Sequence, residues 1–451
     1  MYAQLAGTVL APSVFRAGDT NALTVGAEVA RDCLRQHVFR GCGQPAEPFG
    51  AEPFQAEASR VERFAPLLYV PTVVTLALGL DRATSLWVIG LLNAGAFVFL
   101  VTLPWCARSR LRSLYERRFI WVPVVICSPL LPYAASTWSE VLSAALVVGA
   151  VVGVATKWRG PYVGTAAFFA GISKETLPIF VVLLAFGVVA GTDLTTLKER
   201  FARLRPVLIG SALAVAANAA FNVFRFGTMC NETYLSPFFR VRAPAHVAEQ
   251  AVAALVSWNG GLFVFWPTLV LPIIVAAMAL RRSDRRARFR LTLIAAAFGA
   301  FLLGVAMWFS PFGWHAWGPR LLLPIVPAAV LGILIVADAR IWPAAPVWVV
   351  AAVTVLLSVP NVAVLTAQDR VVSFMNPPRA CHVEEHAEDP FVDCTMRAAY
   401  QRPLLATQVL RGLRDARTAA LAAVTVFVAC LFLARGGRRS MQVRGAPASP
   451  R

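Results

Sequence analysis

Charge is what this chain has least of. Only 15% of its 451 residues are Asp, Glu, Lys or Arg, 58% are hydrophobic, and the mean hydropathy is +0.64. A soluble domain carries about a quarter charged residues, so the water-soluble globular class is excluded. Acids are scarcer than bases, 24 against 42, and lysine occurs only as Lys157, Lys174 and Lys198. Histidine numbers five, and no cysteine pair has metal-ligand spacing with one, which excludes a zinc site. An internal repeat is also missing, which counts against a transporter built from two related halves. The start, MYAQLAGTVLAPSVF, is too short to span a bilayer and lacks both a basic n-region and a small-residue cleavage site.

What the chain has in abundance is long apolar runs. They predict an all-α polytopic membrane protein with about eleven transmembrane helices. The expected spans are 84–105, 119–133, 138–156, 161–173, 176–192, 206–224, 256–279, 291–309, 320–338, 343–361 and 417–434. Two of them, 119–133 and 161–173, fall short of the usual length and are expected to be tilted, broken or re-entrant. The run FAPLLYVPTVVTLALGL (64–80) is barely long enough and contains prolines, so it is read as a re-entrant or interfacial helix. The resulting organisation is an external loop 1–63, a transmembrane core 64–361, an external loop or cap 362–416, and a last helix with a basic tail over 417–451.

The net charge of +18 is distributed unevenly. CARSRLRSLYERR (106–118) holds five arginines and one acid, RRSDRRARFR (281–290) six and one, and the tail 435–451 five and none. These lie beside apolar helices, as the positive-inside rule requires of cytoplasmic loops. Segments 1–63 and 362–416 are nearly neutral, each with six arginines and seven acids. Anionic lipid therefore accounts for the basic balance and nucleic acid is not an expected partner. The C-terminus is expected in the cytoplasm of a bacterial inner or plasma membrane, with the neutral loops outside. Cys33 and Cys42, and Cys381 and Cys394, then fall on the side where disulfides form. Asn231-Glu232-Thr233 matches a glycosylation sequon, a triplet common by chance.

Ionisable groups near membrane depth are costly and point to function. Asp19, in AGDTNALTVGAEVARD (17–32), is either a helix N-cap or a catalytic acid, and Glu28 follows on the same run. Arg63, in SRVERFAPLLYVP, either anchors an interface or faces a site. Lys174 and Glu175 lie between two apolar runs in GISKETLP. A structural ion pair and a contact with a lipid-linked phosphate both fit Lys174. Glu140, in STWSE, opens a helix where the dipole favours an acid. The stretch FSPFGWHAWGPRLLLPIVP (309–327) crowds Trp314, His315 and Trp317 ahead of Arg320. Tryptophans belong in an interface belt, but a guanidinium at a helix start opposes the dipole. Arg320 therefore needs an anion opposite it, and phosphate suits arginine's fork.

WHAWGPRLLLPIVP resembles a recurrent stretch of bacterial GT-C glycosyltransferases, the integral-membrane enzymes that use polyprenyl-phosphate sugars. The order of an acid in the first loop (Asp19), RFAPLLYVP, STWSEVLSAAL and GISKETLP is similar too, over about 15–340. The resemblance implies a GT-C-like fold and an inverting transfer of a sugar, mannose- or arabinose-like, at the external face. Asp19 would be the base or would orient the acceptor hydroxyl, with Glu28 as substitute. Lys174 and Arg320 would hold the carrier phosphate, and Trp314, His315 and Trp317 would line the sugar or acceptor site. A lipid, glycan or protein would be the acceptor, and a divalent cation is the one cofactor left open. The family has a helix before its first acid, and none is complete here. Two other readings share these residues: a transporter or flippase of a lipid-linked sugar, and a non-catalytic GT-C-like scaffold.

Overall fold

The computed structural model describes residues 27–28, 30–37, 39, 42, 66–134, 138–190, 197–231, 244–257, 260–282, 284–308, 318–337, 353, 355–358 and 361. Asp19, Arg63, Trp314, His315, Trp317, the 381/394 cysteine pair and the expected span 417–434 lie outside the described residues. The described residues are helical and contain no strand.

Apolar runs set the helices. α1 (Pro66–Ala77) is followed by α2 (Arg82–Cys106), α3 (Arg112–Glu116), α4 (Arg118–Ile126), α5 (Leu130–Ala134) and α6 (Glu140–Thr156). Then come α7 (Gly160–Ser173), α8 (Leu177–Val189), α9 (Leu197–Phe226) and α10 (Pro244–Val256). α11 (Leu262–Phe265), a 3-10 turn (Pro267–Leu269), α12 (Val270–Arg282), α13 (Arg285–Ala306), a second 3-10 turn (Arg320–Leu322) and α14 (Val326–Val336) complete the order. Three helices, within α2, α9 and α13, are long and apolar enough to cross a bilayer, and the chain is an integral membrane protein. Their outward faces are apolar, with Leu91, Val98, Leu213, Val215 and Leu303 exposed. That pattern matches lipid as the surrounding solvent.

Two expected spans are broken internally, and a third, 320–338, opens as the 3-10 turn Arg320–Leu322 before its helix begins at Val326. The run 119–133 divides into α4 and α5 at Cys127–Pro129, as its length foretold. The run 256–279, expected as one helix, splits into the end of α10, α11, a 3-10 turn and α12. Pro267 has no N–H to continue the ladder, and Gly260 and Gly261 loosen the segment before it. Carbonyls freed by these breaks need donors in a dry interior. Trp266 Nε1 donates to Val124 O at 2.7 Å, and Asn361 Nδ2 donates to Cys127 O at 2.9 Å and Phe265 O at 2.8 Å. Both breaks are thus closed by the same buried corner of the bundle.

Close packing is concentrated where α7 crosses α9. Gly160, Gly164 and Gly171 of α7 face Pro206, Gly210 and Ala214 of α9, a small-residue seam of the kind membrane helices use. A Cβ on Gly210 would lie 2.1 Å from Gly164 O. α6 packs against α7, α8, α2 and α14, and it is the most completely buried of the longer helices. Its core, from Val141 through Val154, joins one hydrophobic cluster with α4, α8, α12 and α14.

The bundle has two chemically distinct ends. At one, arginines of the basic loops reach helix C-termini, where the dipole favours cations. Arg117 Nη1 donates to Leu334 O of α14, and Arg290 Nη2 to Val188 O of α8. Loops 106–118 and 281–290, expected on one side of the membrane, therefore share one end. α6, α8 and α14 all start from the opposite, polar end.

Candidate functional site

At the polar end α6 begins without help from its own N-cap, since Ser139 makes no side-chain capping bond. Asn93 of α2 supplies the cap instead: its Oδ1 accepts from Leu142 N at 3.2 Å, and its Nδ2 donates to Trp138 O at 2.6 Å. This fixes Trp138 and Glu140. Lower down, Ser143 Oγ donates to Ser173 Oγ at 2.8 Å, and that hydroxyl donates to Ala170 O at 2.6 Å. The start of α6 is thereby tied to the end of α7, whose next residue is Lys174.

Glu140 is 1% exposed and draws in two of the cations that sequence reasoning singled out. Lys174 Nζ lies 2.9 Å from Glu140 Oε1, and Arg320 Nε lies 3.6 Å from the same oxygen. The Arg320 guanidinium rests 3.9 Å from the centroid of the Trp138 indole, a cation–π contact. Arg320 reaches this place through a tight turn. Gly318 has φ +65°, and a Cβ there would meet the Phe265 ring at 3.1 Å, so only glycine fits. The anion that Arg320 was expected to require is, in this structure, a carboxylate of the chain itself. Lys174 likewise pairs with Glu140 and not with its neighbour Glu175.

Glu175 points the other way, because Lys174 has an extended backbone (φ −151°, ψ 125°). It meets Arg225, whose Nη2 donates to Glu175 Oε1, and Asn231, whose Nδ2 donates to both carboxylate oxygens at 3.2 and 3.1 Å. Arg225 is 1% exposed and bonds Asn222 Oδ1 through Nε at 2.9 Å and Nη2 at 2.7 Å. Its guanidinium also stacks on Phe221 and Phe226. Asn218, one turn earlier, donates to Gly171 O at 3.0 Å. Sequence reasoning missed this row. Asn218, Asn222 and Arg225 recur at i, i+4 and i+7 in an apolar helix, the spacing of a single face, and that spacing was the available signal. Asn231, the sequon asparagine, is 9% exposed and spends its amide on Glu175.

Glu28 is half-buried on a helical stretch whose Ala27 and Ala30 pack with Tyr69 and Leu76 of α1 and Ile89 of α2, against Phe221 and Phe224. Cys33 and Cys42 form the expected disulfide, and Cys42 N donates to Phe224 O at 2.7 Å. The described part of the first loop, between Ala27 and Cys42, is thus seated on the same end of α9 as Arg225. Among the described residues no three His, Cys, Asp or Glu side chains gather as a metal site would.

No protein-family model matches the chain, and no curated protein matches it. Among solved structures, the crystal structure of ArnT from Cupriavidus metallidurans in the apo state is similar, at 17% identity and a TM-score of 0.45. The similarity covers 91% of this chain and 71% of that one.

Proposed function

We propose that this protein is a membrane glycosyltransferase of the GT-C kind, moving a sugar from a polyprenyl-phosphate donor to an acceptor at the polar end of the bundle. One observation carries the reading: Lys174 and Arg320, distant in sequence and each costly at membrane depth, converge on one buried point beside an indole face. A cation pair backed by an aromatic surface has the chemistry to hold a phosphate next to a sugar. When the C1–O bond of the donor breaks, charge builds on the phosphate oxygen, and preplaced cations stabilise it. The order of motifs around Asp19, Glu140, Lys174 and Arg320 supports the same reading. Asp19 is the proposed base and Glu28 its substitute, with Trp314, His315 and Trp317 at the sugar or acceptor and Arg63 near the entry. The polar end would face outward, opposite the basic loops.

The test is transfer of label from radiolabelled polyprenyl-phosphate sugars in membranes. Arg320→Ala is expected to lower transfer by at least about a hundredfold while membrane insertion is unchanged. Normal rates in that variant would remove the phosphate role. The broken run at Trp266–Pro267 favours a second reading, a carrier of the lipid-linked sugar, since carriers use interrupted helices. Movement of donor across vesicles without any labelled product would establish the carrier instead.

A further inference from the structure

A single carboxylate oxygen serves both cations of the site. Glu140 Oε1 lies 2.9 Å from Lys174 Nζ and 3.6 Å from Arg320 Nε, whereas Glu140 Oε2 is buried and has no hydrogen-bond partner among the described residues. A carboxylate with a purely structural role would use both oxygens, since a buried acceptor left unsatisfied is costly. Lys174 keeps an opening, with 22% of its side chain exposed. We propose that Glu140 is an internal competitor for the anion seat. Its Oε1 occupies the point between Lys174 and Arg320 where a phosphate oxygen of the lipid would bind, and its charge decides which phosphate the seat favours. This rests on the phosphate-binding reading of Lys174 and Arg320 above.

The consequence follows from charge. The donor is a phosphodiester with one negative charge. In transfer the C1–O bond breaks and its electron pair stays on the phosphate oxygen. The acceptor oxygen forms the new bond and its proton passes to a base. The spent lipid is then a phosphomonoester carrying about −1.5 to −2 at neutral pH. Displaced from the point between Lys174 and Arg320 but still a few ångströms away, the carboxylate penalises the added charge by roughly tenfold or more in affinity, at the dielectric of a partly buried site. Glu140 therefore makes the seat prefer the loaded lipid over the spent one and speeds product departure.

The experiment compares dissociation constants of a polyprenyl phosphate and a polyprenyl-phosphoryl hexose of equal chain length, using the full chain in nanodiscs. Glu140→Gln is expected to tighten the monoester by about tenfold or more and the diester by less, and Glu140→Asp to keep the wild-type ratio. Weaker binding of either lipid to Glu140→Gln, or an equal shift of both, overturns the competitor role. Should Glu140→Gln not fold, the wild-type ratio decides: a diester bound at least as tightly as the monoester supports the role, and a monoester bound much more tightly overturns it. If Lys174→Ala binds both lipids as well as wild type does, the phosphate reading fails and the competitor role fails with it. Loss of binding in Lys174→Ala, combined with an unshifted ratio in Glu140→Gln, overturns the competitor role alone.

Discussion

Arg225 shows what a single side chain is asked to do in a dry bundle. Its guanidinium holds Glu175, bonds Asn222 and stacks on two phenylalanines, and through Glu175 it fixes the turn that carries Lys174. Arg225→Leu leaves Glu175 as a mostly buried carboxylate without its cation, a loss of about 3 kcal/mol or more. Thermal unfolding in detergent should show it, and the double change Arg225→Leu with Glu175→Leu should recover most of the loss. A double variant as unstable as the sum of the singles would mean that the two residues act separately. Much about such residues was legible beforehand. Glu140, Lys174 and Arg320 each stood out as ionisable groups against apolar runs. Their pairing was not legible, because Glu140 lies 34 positions from Lys174 and its other contact comes from a different helix start. Glu140 and Lys174 also had nearer local explanations, a helix dipole and an adjacent opposite charge. Arg225 itself was cut off by ending the expected span at 224.

Between elements, small residues set how closely helices approach. At the α7–α9 crossing Gly210 carries its neighbour's carbonyl where a Cβ would be, so the position has no room for a side chain. Gly210→Leu should destabilise the protein by about 1–3 kcal/mol and displace Asn218 and Arg225 with the rest of α9. Its effect on donor affinity should therefore exceed that of Gly299→Leu, a glycine of α13 with open space around it. Comparable lipid affinities in the two variants would show that the α9 row does not govern Lys174. Helix positions followed hydropathy closely, and the disagreements fall at breaks. Pro267 and Gly260-Gly261 marked the interruption in 256–279, but a hydropathy window averages over three residues of turn. What makes the break tolerable is Asn361, nearly a hundred positions from the carbonyl it satisfies at Phe265, and no local pattern contains that partner.

On the scale of the whole molecule, the two ends carry their own reporters. Cys106 and Cys230 are both exposed thiols. Cys106 adjoins the basic loop, and Cys230 adjoins Asn231 and Glu175 at the polar end. In variants keeping one or the other as the free thiol, an impermeant maleimide added to intact cells should label Cys230, and should label Cys106 only after permeabilisation. Labelling of Cys106 from outside would reverse the orientation and move the proposed transfer to the opposite face. The arginine asymmetry is what predicts this orientation, because it depends on composition near helix ends and not on packing.

The trans-acting cap at Asn93 also fixes a depth. Asn93 lies nine residues beyond Thr84, where the apolar stretch of α2 begins, or about 14 Å along a helix axis. Trp138 and Leu142 bond Asn93 at that level along α2, and Glu140 lies between them in sequence. A full crossing of the membrane potential is worth about 2.3 kcal/mol per elementary charge for each 100 mV, and a seat at nearly half depth takes a corresponding part, about 1 kcal/mol. Under the proposed function, an anion drawn there from the outer face of an inside-negative cell would work against the field as it enters and be pushed by it as it leaves. The energised membrane would thus act with the protein's own carboxylate to empty the seat after each turnover.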